Sequence, residues 1–439
     1  MTKWPRVKVK EVCELIVDCV NRTAPVVDGP TEYRMIRTTN VRDGRINITD
    51  CRYVDEATFV HWTRRAAVLE GDVILTREAP IGEVGYVTDM PNIFLGQRLM
   101  QYRADRRKIH PRFLFYVFRS PTLQHQFRSH DGSGSVVSHI RVADCHEFEV
   151  PVAPLSEQKE IAELLGALDD KIELNRRMNE TLEAMARAIF KDWFVDFGPT
   201  RAKQEARRAG GATGKAKEAG AKPYLAPDLW SLFPDRLNDK GLPKGWDIGT
   251  LADIANVHMG ASPSGETYND QGLGTPLVNG PVEYGEFFLK RIKWTTAPSR
   301  LSQRGDLIIC VRGSTTGRHA FADGEYCLGR GVAAVRALGD RQEFVESMVL
   351  GQMPRLLERV TGSVFPNLGS NDFREFSIIV PTLNLQDSFS LLVRPLRKRV
   401  WADVSENVTL AALRDILLPK LMSGEIRVRD AEKLVGEAV

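Results

Sequence analysis

Few stretches of this chain carry residue types that could do chemistry. Glu157-Gln-Lys159 sets a carboxylate beside an ammonium, the elements that a metal-dependent nuclease gathers on its strands. Here the triplet opens a long helical pattern just after Ser156, so Ser156 reads as the helix N-cap and Glu157 and Glu160 as first-turn acids favoured by the helix dipole. Gly211-Ala-Thr-Gly-Lys215 faintly resembles a phosphate-binding loop, but its first glycine is misplaced and Ala216 stands where a Ser or Thr would bind magnesium. A methylase acting on exocyclic base amines needs a polar-Pro-Pro-aromatic loop and a glycine-rich turn for its donor, and the chain has no Pro-Pro pair. Cys13, Cys19, Cys51, Cys145, Cys310 and Cys327 include no C-x-x-C pair, and the eight histidines form no i, i+4 pattern. Reduced thiols and no structural zinc are expected. No Ser, His and acid constellation is recognisable. The residues therefore predict no catalytic group, no metal and no cofactor bound by this chain.

What must be positioned, then, is a surface, and the bulk composition says how much scaffold is available. A chain of 439 residues, 43% apolar, can build two to four domains with separate cores. The net charge of +3 does not by itself demand a nucleic-acid partner, so any basic footprint must be local. No stretch approaches the roughly 18 uncharged apolar residues of a membrane helix, and Met1 to Lys10 lacks the apolar run of a signal peptide. A cytoplasmic protein with no membrane partner is expected.

An internal repeat organises the chain. In the first half Glu70-Gly-Asp-Val-Ile-Leu-Thr76 precedes Gly96-Gln-Arg-Leu-Met-Gln-Tyr-Arg-Ala104, a Gly-Ser segment from Gly132 and a strand ending at Pro151. In the second, Arg304-Gly-Asp-Leu-Ile-Ile-Cys310 precedes Gly329-Arg-Gly-Val-Ala-Ala-Val-Arg-Ala337, Gly362-Ser363 and a strand ending at Pro381. Beyond those strands the register locks at 228 residues, with Gln158 on Gln386. At that offset Ile161, Leu164, Leu165, Leu168, Ile172, Leu182, Met185, Ile189 and Trp193 fall on Phe389, Leu392, Val393, Leu396, Val400, Leu410, Leu413, Leu417 and Leu421. The spacing, mostly three and four, is a coiled-coil seam that suits one partner helix. Each copy is the natural partner of the other, antiparallel and within the chain. Asn175 and Asn179, matched by Asp403 and Asn407, place polar groups on the seam, either to fix register or as a solvated break in the stripe. Pro395 should kink the second helix or delay its start.

Strands are expected at Asp72 to Arg77, Val84 to Thr88, Phe94 to Arg103 and Glu147 to Val152, with helices at Pro111 to Arg119 and Leu123 to His130. The second copy repeats them at Asp306 to Arg312, Ala333 to Ala337, Glu343 to Arg359 (a helix) and Phe376 to Val380. The fold class is mixed α/β: two similar α/β domains, at 1–153 and 241–383, joined by two long antiparallel helices, at 154–197 and 384–424, forming an intramolecular coiled coil. A polar, lysine-rich linker or frayed helical extension falls within 198–240, and a C-terminal tail at 425–439.

Pro151 to Asn175 (PVAPLSEQKEIAELLGALDDKIELN) resembles the central segment of the specificity subunits of Type I restriction-modification enzymes, and Leu413 to Ile426 (LRDILLPKLMSGEI) resembles their distal one. With the duplicated layout, the resemblance covers roughly residues 4 to 428. It implies two target-recognition domains that each read half of a bipartite double-stranded DNA site, and helices that set the spacing and dock partners. The implied partners are two modification (methyltransferase) subunits holding S-adenosylmethionine, and restriction/translocase subunits using ATP and magnesium.

On that premise the polar and basic loops leaving strand edges become candidate DNA contacts. In the first domain these are Arg37, Thr38, Thr39, Asn40, Arg77, Glu78, Gln97, Arg98, Ser133, Ser135 and His139; in the second, Asn279, Arg312, Ser314, Thr315, Thr316, Arg318, Arg330 and Asn367. Arg pairs with guanine and Asn or Gln with adenine, whereas Ser, Thr and backbone amides hold phosphate. Arg77 and Arg312 lead because both follow the paired Gly-Asp strand and start a turn. Two other readings compete: a self-sufficient nuclease or methylase with an unrecognised active site, and a coiled-coil adaptor whose domains bind protein or glycan.

Overall fold

Gly71-Asp72 and Gly305-Asp306 each open an apolar run, Val73–Thr76 and Leu307–Cys310, in which every residue is buried. Such runs belong at the centre of a sheet. The computed structural model describes residues 4–20, 22–130, 139–213, 224–358 and 367–438. It divides into two compact units, Met1–Asn175 with Ser405–Val439, and Arg176–Val404.

In the first unit Val73–Thr76 lies in an antiparallel sheet of order Cys13–Asp18, Leu99–Ala104, Val73–Thr76, Val84–Tyr86. A second sheet runs Arg52–Val54, Tyr33–Ile36, Ile93–Leu95, its last pair parallel. Arg6–Lys8 pairs with Glu149–Pro151. Helices Pro111–Arg119 and Pro121–Arg128 each begin on a proline, whose fixed φ suits the first helical position.

The second unit repeats this topology. Its antiparallel sheet runs Ala255–Met259, Val332–Ala337, Leu307–Cys310, His319–Phe321, and its second sheet runs Tyr268–Asn269, Trp294–Thr295, Thr275–Val278, Cys327–Leu328, again with the last pair parallel. Asp247–Thr250 pairs with Ser377–Val380, and Gln342–Glu358 is helical. The same ion pair sits in each sheet: Arg103 Nε and Nη2 donate to Asp72 at 2.8 Å each, and Arg336 Nε and Nη2 to Asp306 at 2.8 and 2.7 Å. The mixed α/β fold with a duplicated domain is thus the one the sequence announces.

Several details differ from the sequence reading. The strand expected from Phe94 to Arg103 is two strands in different sheets, because Gly96-Gln97-Arg98 turns the chain and Arg98 takes a φ of +70°. The turn is tight: a Cβ on Gly96 would lie 2.7 Å from the Ile36 carbonyl oxygen. Gly198–Thr213 is helical, as the second of the two alternatives for that segment has it, whereas the short helix Pro227–Leu232 was not expected; Lys203 Nζ donates to the Trp230 and Phe233 carbonyls at 2.6 Å each. The tail also contains a helix, Val428–Ala438, with Ala431 buried in the first core.

The long helices are Leu155–Phe194 and Leu383–Ser423, so their starts keep the 228-residue register. Gln158 ties the first start to the Ala153 carbonyl at 2.7 Å and Gln386 ties the second to that of Pro381 at 2.8 Å. Helix begins at Leu155, which puts Ser156 inside the first turn rather than at the N-cap; Glu157 keeps its first-turn place. Pro395 lies within the second helix and does not delay it. The carbonyl it leaves without an N–H belongs to Leu391, a residue that is 71% exposed.

In the first unit the helices run antiparallel: Asp169 meets Arg414 at 2.7 Å, and Asn175 meets Asn407 at 2.9 Å. Ile161, Leu165, Leu168 and Ile172 share a core with Leu410, Leu417 and Leu421, and also with Phe113, Tyr116 and Val117 of the α/β domain. The seam therefore closes a domain core as well as a helix pair. In the second unit Phe190 and Trp193 close on Phe389, with ring centroids 5.6 and 6.0 Å apart. Met185 and Leu392, expected on the seam, are 47% and 41% exposed, whereas Ala186, Phe190 and Val393 are buried. A straight helix drifts from a strict seven-residue repeat, and the stripe moves over by one position. Asn175 is buried and donates to Glu406 at 2.7 Å as well as to Asn407, while buried Asp403 accepts from Arg399 at 2.8 Å. No helix among the described residues is long and apolar enough to cross a membrane.

Candidate nucleic-acid interface

At one edge of the first domain, three backbone hydrogen bonds join four separate segments. Gly96 N donates to Ile36 O at 2.8 Å, Arg77 N to Arg98 O at 2.8 Å, and Ile140 N to Arg77 O at 3.0 Å. This rim brings together Arg37, Arg77, Glu78, Gln97, Arg98 and His139. Gln97 and Arg98 are exposed, and Arg98 Nε lies 3.0 Å from Glu78 Oε2. Arg37 donates to the Asp50 carbonyl at 2.9 Å, with that residue's carboxylate 3.5 Å away. Thr39 is exposed and Thr38 half-buried on the turn that follows. Asn40 is different: it is 2% exposed, its Oδ1 accepts from Arg37 N at 2.8 Å, and its Nδ2 donates to Asn47 O at 3.0 Å. Its amide shapes the turn and does not stand on it. Ser133 and Ser135 lie outside the described residues.

The second domain builds the same rim from other side chains. Gly329 N donates to Val278 O at 2.8 Å, Val311 N to Gly331 O at 2.8 Å, and Leu368 N to Val311 O at 2.9 Å. These bonds gather Asn279, Arg312, Arg330 and Asn367, and Arg312 and Asn367 form a bridge of their own. The turn from Arg312 to Arg318 connects two strands of the sheet, with Arg312, Ser314 and Arg318 exposed. Thr316 Oγ1 donates to Gly313 O at 2.7 Å, Thr315 Oγ1 lies 3.3 Å from Cys310 Sγ, and the Arg318 guanidinium stands 5.9 Å from the centre of the Tyr284 ring. Burial holds the Tyr284 hydroxyl far above its ordinary pKa, so it stays a neutral face for that cation. Asn279 N donates to buried Glu283 at 3.3 Å, and Arg330 N to Ser262 Oγ at 3.1 Å. Ser262 and Tyr284 were not anticipated. Neither ends one of the strands readable from sequence pattern.

Superposing the bonds matches Gln97 with Arg330, Arg37 with Asn279 and His139 with Asn367. It also separates the two leading arginines. Arg77 stands opposite Val311, and Arg312 opposite Glu78, as the offset of the shared Gly-Asp strand also requires. The difference has a physical consequence: Arg77 is half-buried and its Nη1 donates to Ile140 O at 3.0 Å, as a brace beneath the rim, whereas Arg312 is exposed.

The thiols are poorly suited to nucleophilic chemistry. Burial pushes Cys13 up to about 12 and Cys51 and Cys145 up to about 11, which keeps them protonated at neutral pH. Among the described residues no group of three or more His, Cys, Asp or Glu side chains is placed to hold a metal ion. The arrangement offers guanidinium, amide and hydroxyl groups on two equivalent, partly basic edges.

A family model described as Type I restriction modification DNA specificity domain matches residues 1–184 and 243–389. The MjaIX specificity subunit of Methanocaldococcus jannaschii is 25% identical over 371 residues, covering 82% of this chain and 79% of its own. The HindI specificity subunit of Haemophilus influenzae is 24% identical over 408 residues, covering 82% and 88%. In fold, the chain is similar to the crystal structure of a Type I restriction-modification S subunit from M. genitalium, with a TM-score of 0.58 and 15% identity over 96% of each chain.

Proposed function

The chain belongs to the Type I restriction-modification DNA specificity family, whose members recognise DNA without catalysing, and on that premise we propose that each rim reads one half of a bipartite double-stranded site. The observation that carries this reading is the recurrence of one backbone-bonded rim bearing different side chains, two readers of one design with different contents. Arg312, Arg330, Arg98, Gln97, Asn279 and Asn367 are suited to base edges. Ser314, Thr315, Thr316, Arg318, Thr38, Thr39, Arg37 and His139 are suited to phosphates, with Glu78 orienting Arg98. Arg77 and Asn40 act underneath, by holding the rim's shape. Each rim supplies a handful of contacts, enough for a half-site in a polar, salt-sensitive interface.

The long helices, in this reading, set the gap between half-sites and seat two modification subunits that carry S-adenosylmethionine, with restriction subunits adding ATP and magnesium. The complex acts in the cytoplasm, where its substrate is. To test it, residues 1–153 are replaced by the equivalent domain of a relative, the chain is expressed with its modification partners, and methylated adenines are mapped across the host genome. One half of the methylated motif should change and the other persist. Loss or change of both halves together would mean that the domains form a single reading surface.

A further inference from the structure

Each α/β domain is seated on the long helix of its own repeat through charged pairs, and around the helix positions 166–170 and 394–397 the sign of the charges is opposite in the two repeats. In the first, the domain supplies the cations. Arg112 donates to both carboxylate oxygens of Asp170, at 2.8 and 2.5 Å, and to the Gly166 carbonyl at 3.2 Å. Arg119 faces Asp169 at 3.4 Å, and the Tyr116 hydroxyl donates to Asp169 at 2.8 Å. In the second, the domain supplies the anions to Arg394 and Arg397, while nearer the helix start one pair keeps the first repeat's sign, Arg341 donating to Asp387 at 2.5 Å. Glu343 accepts from Arg394 at 2.9 and 3.3 Å, Asp340 accepts from the same guanidinium at 2.8 Å, and Glu346 lies 3.1 Å from Arg397.

The 228-residue register makes the inversion specific. It places Arg394 where the first helix has Gly166, and Arg397 where it has Asp169. The first-repeat arginine comes from the domain and lies against a bare glycine, where an added Cβ would sit 2.8 Å from the Arg112 guanidinium carbon. In the second repeat the arginine grows from that glycine's position and reaches a domain carboxylate instead. Wrongly paired, Arg112 and Arg119 would confront Arg394 and Arg397, or Glu343 and Glu346 would confront Asp169 and Asp170. Most of these side chains are largely shielded from water, so solvent screens the repulsion poorly. A partly buried ion pair adds little over an apolar contact, but a like-charge pair there is strongly unfavourable.

We infer that the two helix seats are keyed by charge: each accepts only a recognition domain whose docking helix carries the opposite sign, which fixes the order of the two domains along the chain. The partner that fits the second seat is a domain with an acidic docking helix, and the partner that fits the first is one with a basic docking helix. This holds whichever half-site each domain reads.

Thermal unfolding of the full chain tests it without DNA. Reversing the domain side (Glu343→Arg with Glu346→Arg) or the seat side (Arg394→Glu with Arg397→Glu) should each lower the apparent Tm by about 10 °C. The four changes combined should recover at least half of that loss. The neutral variant, Glu343→Gln with Glu346→Gln, folds without repulsion and should lose less than half as much as the reversal. Two results overturn the inference: a combined variant no better than the worse single reversal, or a neutral variant as damaged as the reversed one.

Discussion

Truncating Arg312 and Arg77 to alanine, one at a time, separates a contact on the rim from a brace beneath it. The Arg77 guanidinium donates to the Ile140 carbonyl at 3.0 Å from a half-buried position. Its loss leaves that carbonyl unpaired, at a cost of roughly 1 to 3 kcal/mol of folding stability. For a unit of this size that is a fall in Tm of about 3 to 10 °C. Arg312 is exposed, and among the described residues its guanidinium has no such internal bond, so Arg312→Ala should leave Tm within about 1 °C. Its effect falls on binding: about 1 to 3 kcal/mol if it reads a base, which is about 5- to 150-fold in Kd. If it holds a phosphate, the slope of log affinity against log salt should flatten by about 0.9. The assay is titration of a fluorescent duplex carrying the methylated motif, using the chain assembled with its modification subunits, at several salt concentrations, beside calorimetry of each variant. Should Arg312→Ala melt early while binding normally, or Arg77→Ala weaken binding with no thermal effect, the division of the rim into contacts and brace would be wrong.

Asn175→Ala should cost about 1 to 3 kcal/mol in chemical denaturation, because it removes a buried donor to Asn407 and Glu406, of which Glu406 keeps Lys171 at 3.2 Å; pairing it with Asn407→Leu should recover stability while loosening register, seen as multiple species in native electrophoresis. Burial, opposed by Arg397 and reinforced by Glu343, pushes the Glu346 carboxyl up from its ordinary 4.5 to about 7. A carboxyl raised in this way contributes stability that is fully present below 4.5 and lost as pH rises towards 7, so the urea midpoint should be higher at pH 5 than at pH 7, with Glu346→Gln flattening the difference.

How much of this was legible from sequence follows from how far each feature depends on distant partners. The helix register could be read because Gln158 and Gln386, and the apolar positions after them, repeat at one offset; the drift of the stripe at Met185 and Leu392 could not, since it depends on accumulated helical twist. The break at Gly96 to Arg98 was hidden because Arg98 adopts a left-handed φ without being Gly or Asn. Strand-end reasoning found rim positions in both domains, since topology carries them there. It could not tell Arg77 from Arg312 or see Asn40 as buried, because depth is set by Ile140 and Asn47, far along the chain or across a turn. The charged seats were invisible for the same reason: the partners whose signs invert are fifty or more residues apart.

Both rims are held by bonds from main-chain nitrogen to main-chain oxygen, and Gly96 and Gly331 approach a neighbouring main chain too closely to carry a Cβ, as Gly329 approaches the Asn279 side chain. Peptide groups are the same whatever side chain they carry, so the frame tolerates substitution almost everywhere except at those glycines. Such a frame is evolvable in a specific sense: new specificities are reachable by single steps, each leaving a folded protein behind. A combinatorial library varying Gln97, Arg98, Asn279, Arg312, Ser314, Arg330 and Asn367, with Gly96, Gly329 and Gly331 kept, should yield mostly well-folded members. Retargeting would then be a matter of selection, with little need to rebuild the scaffold.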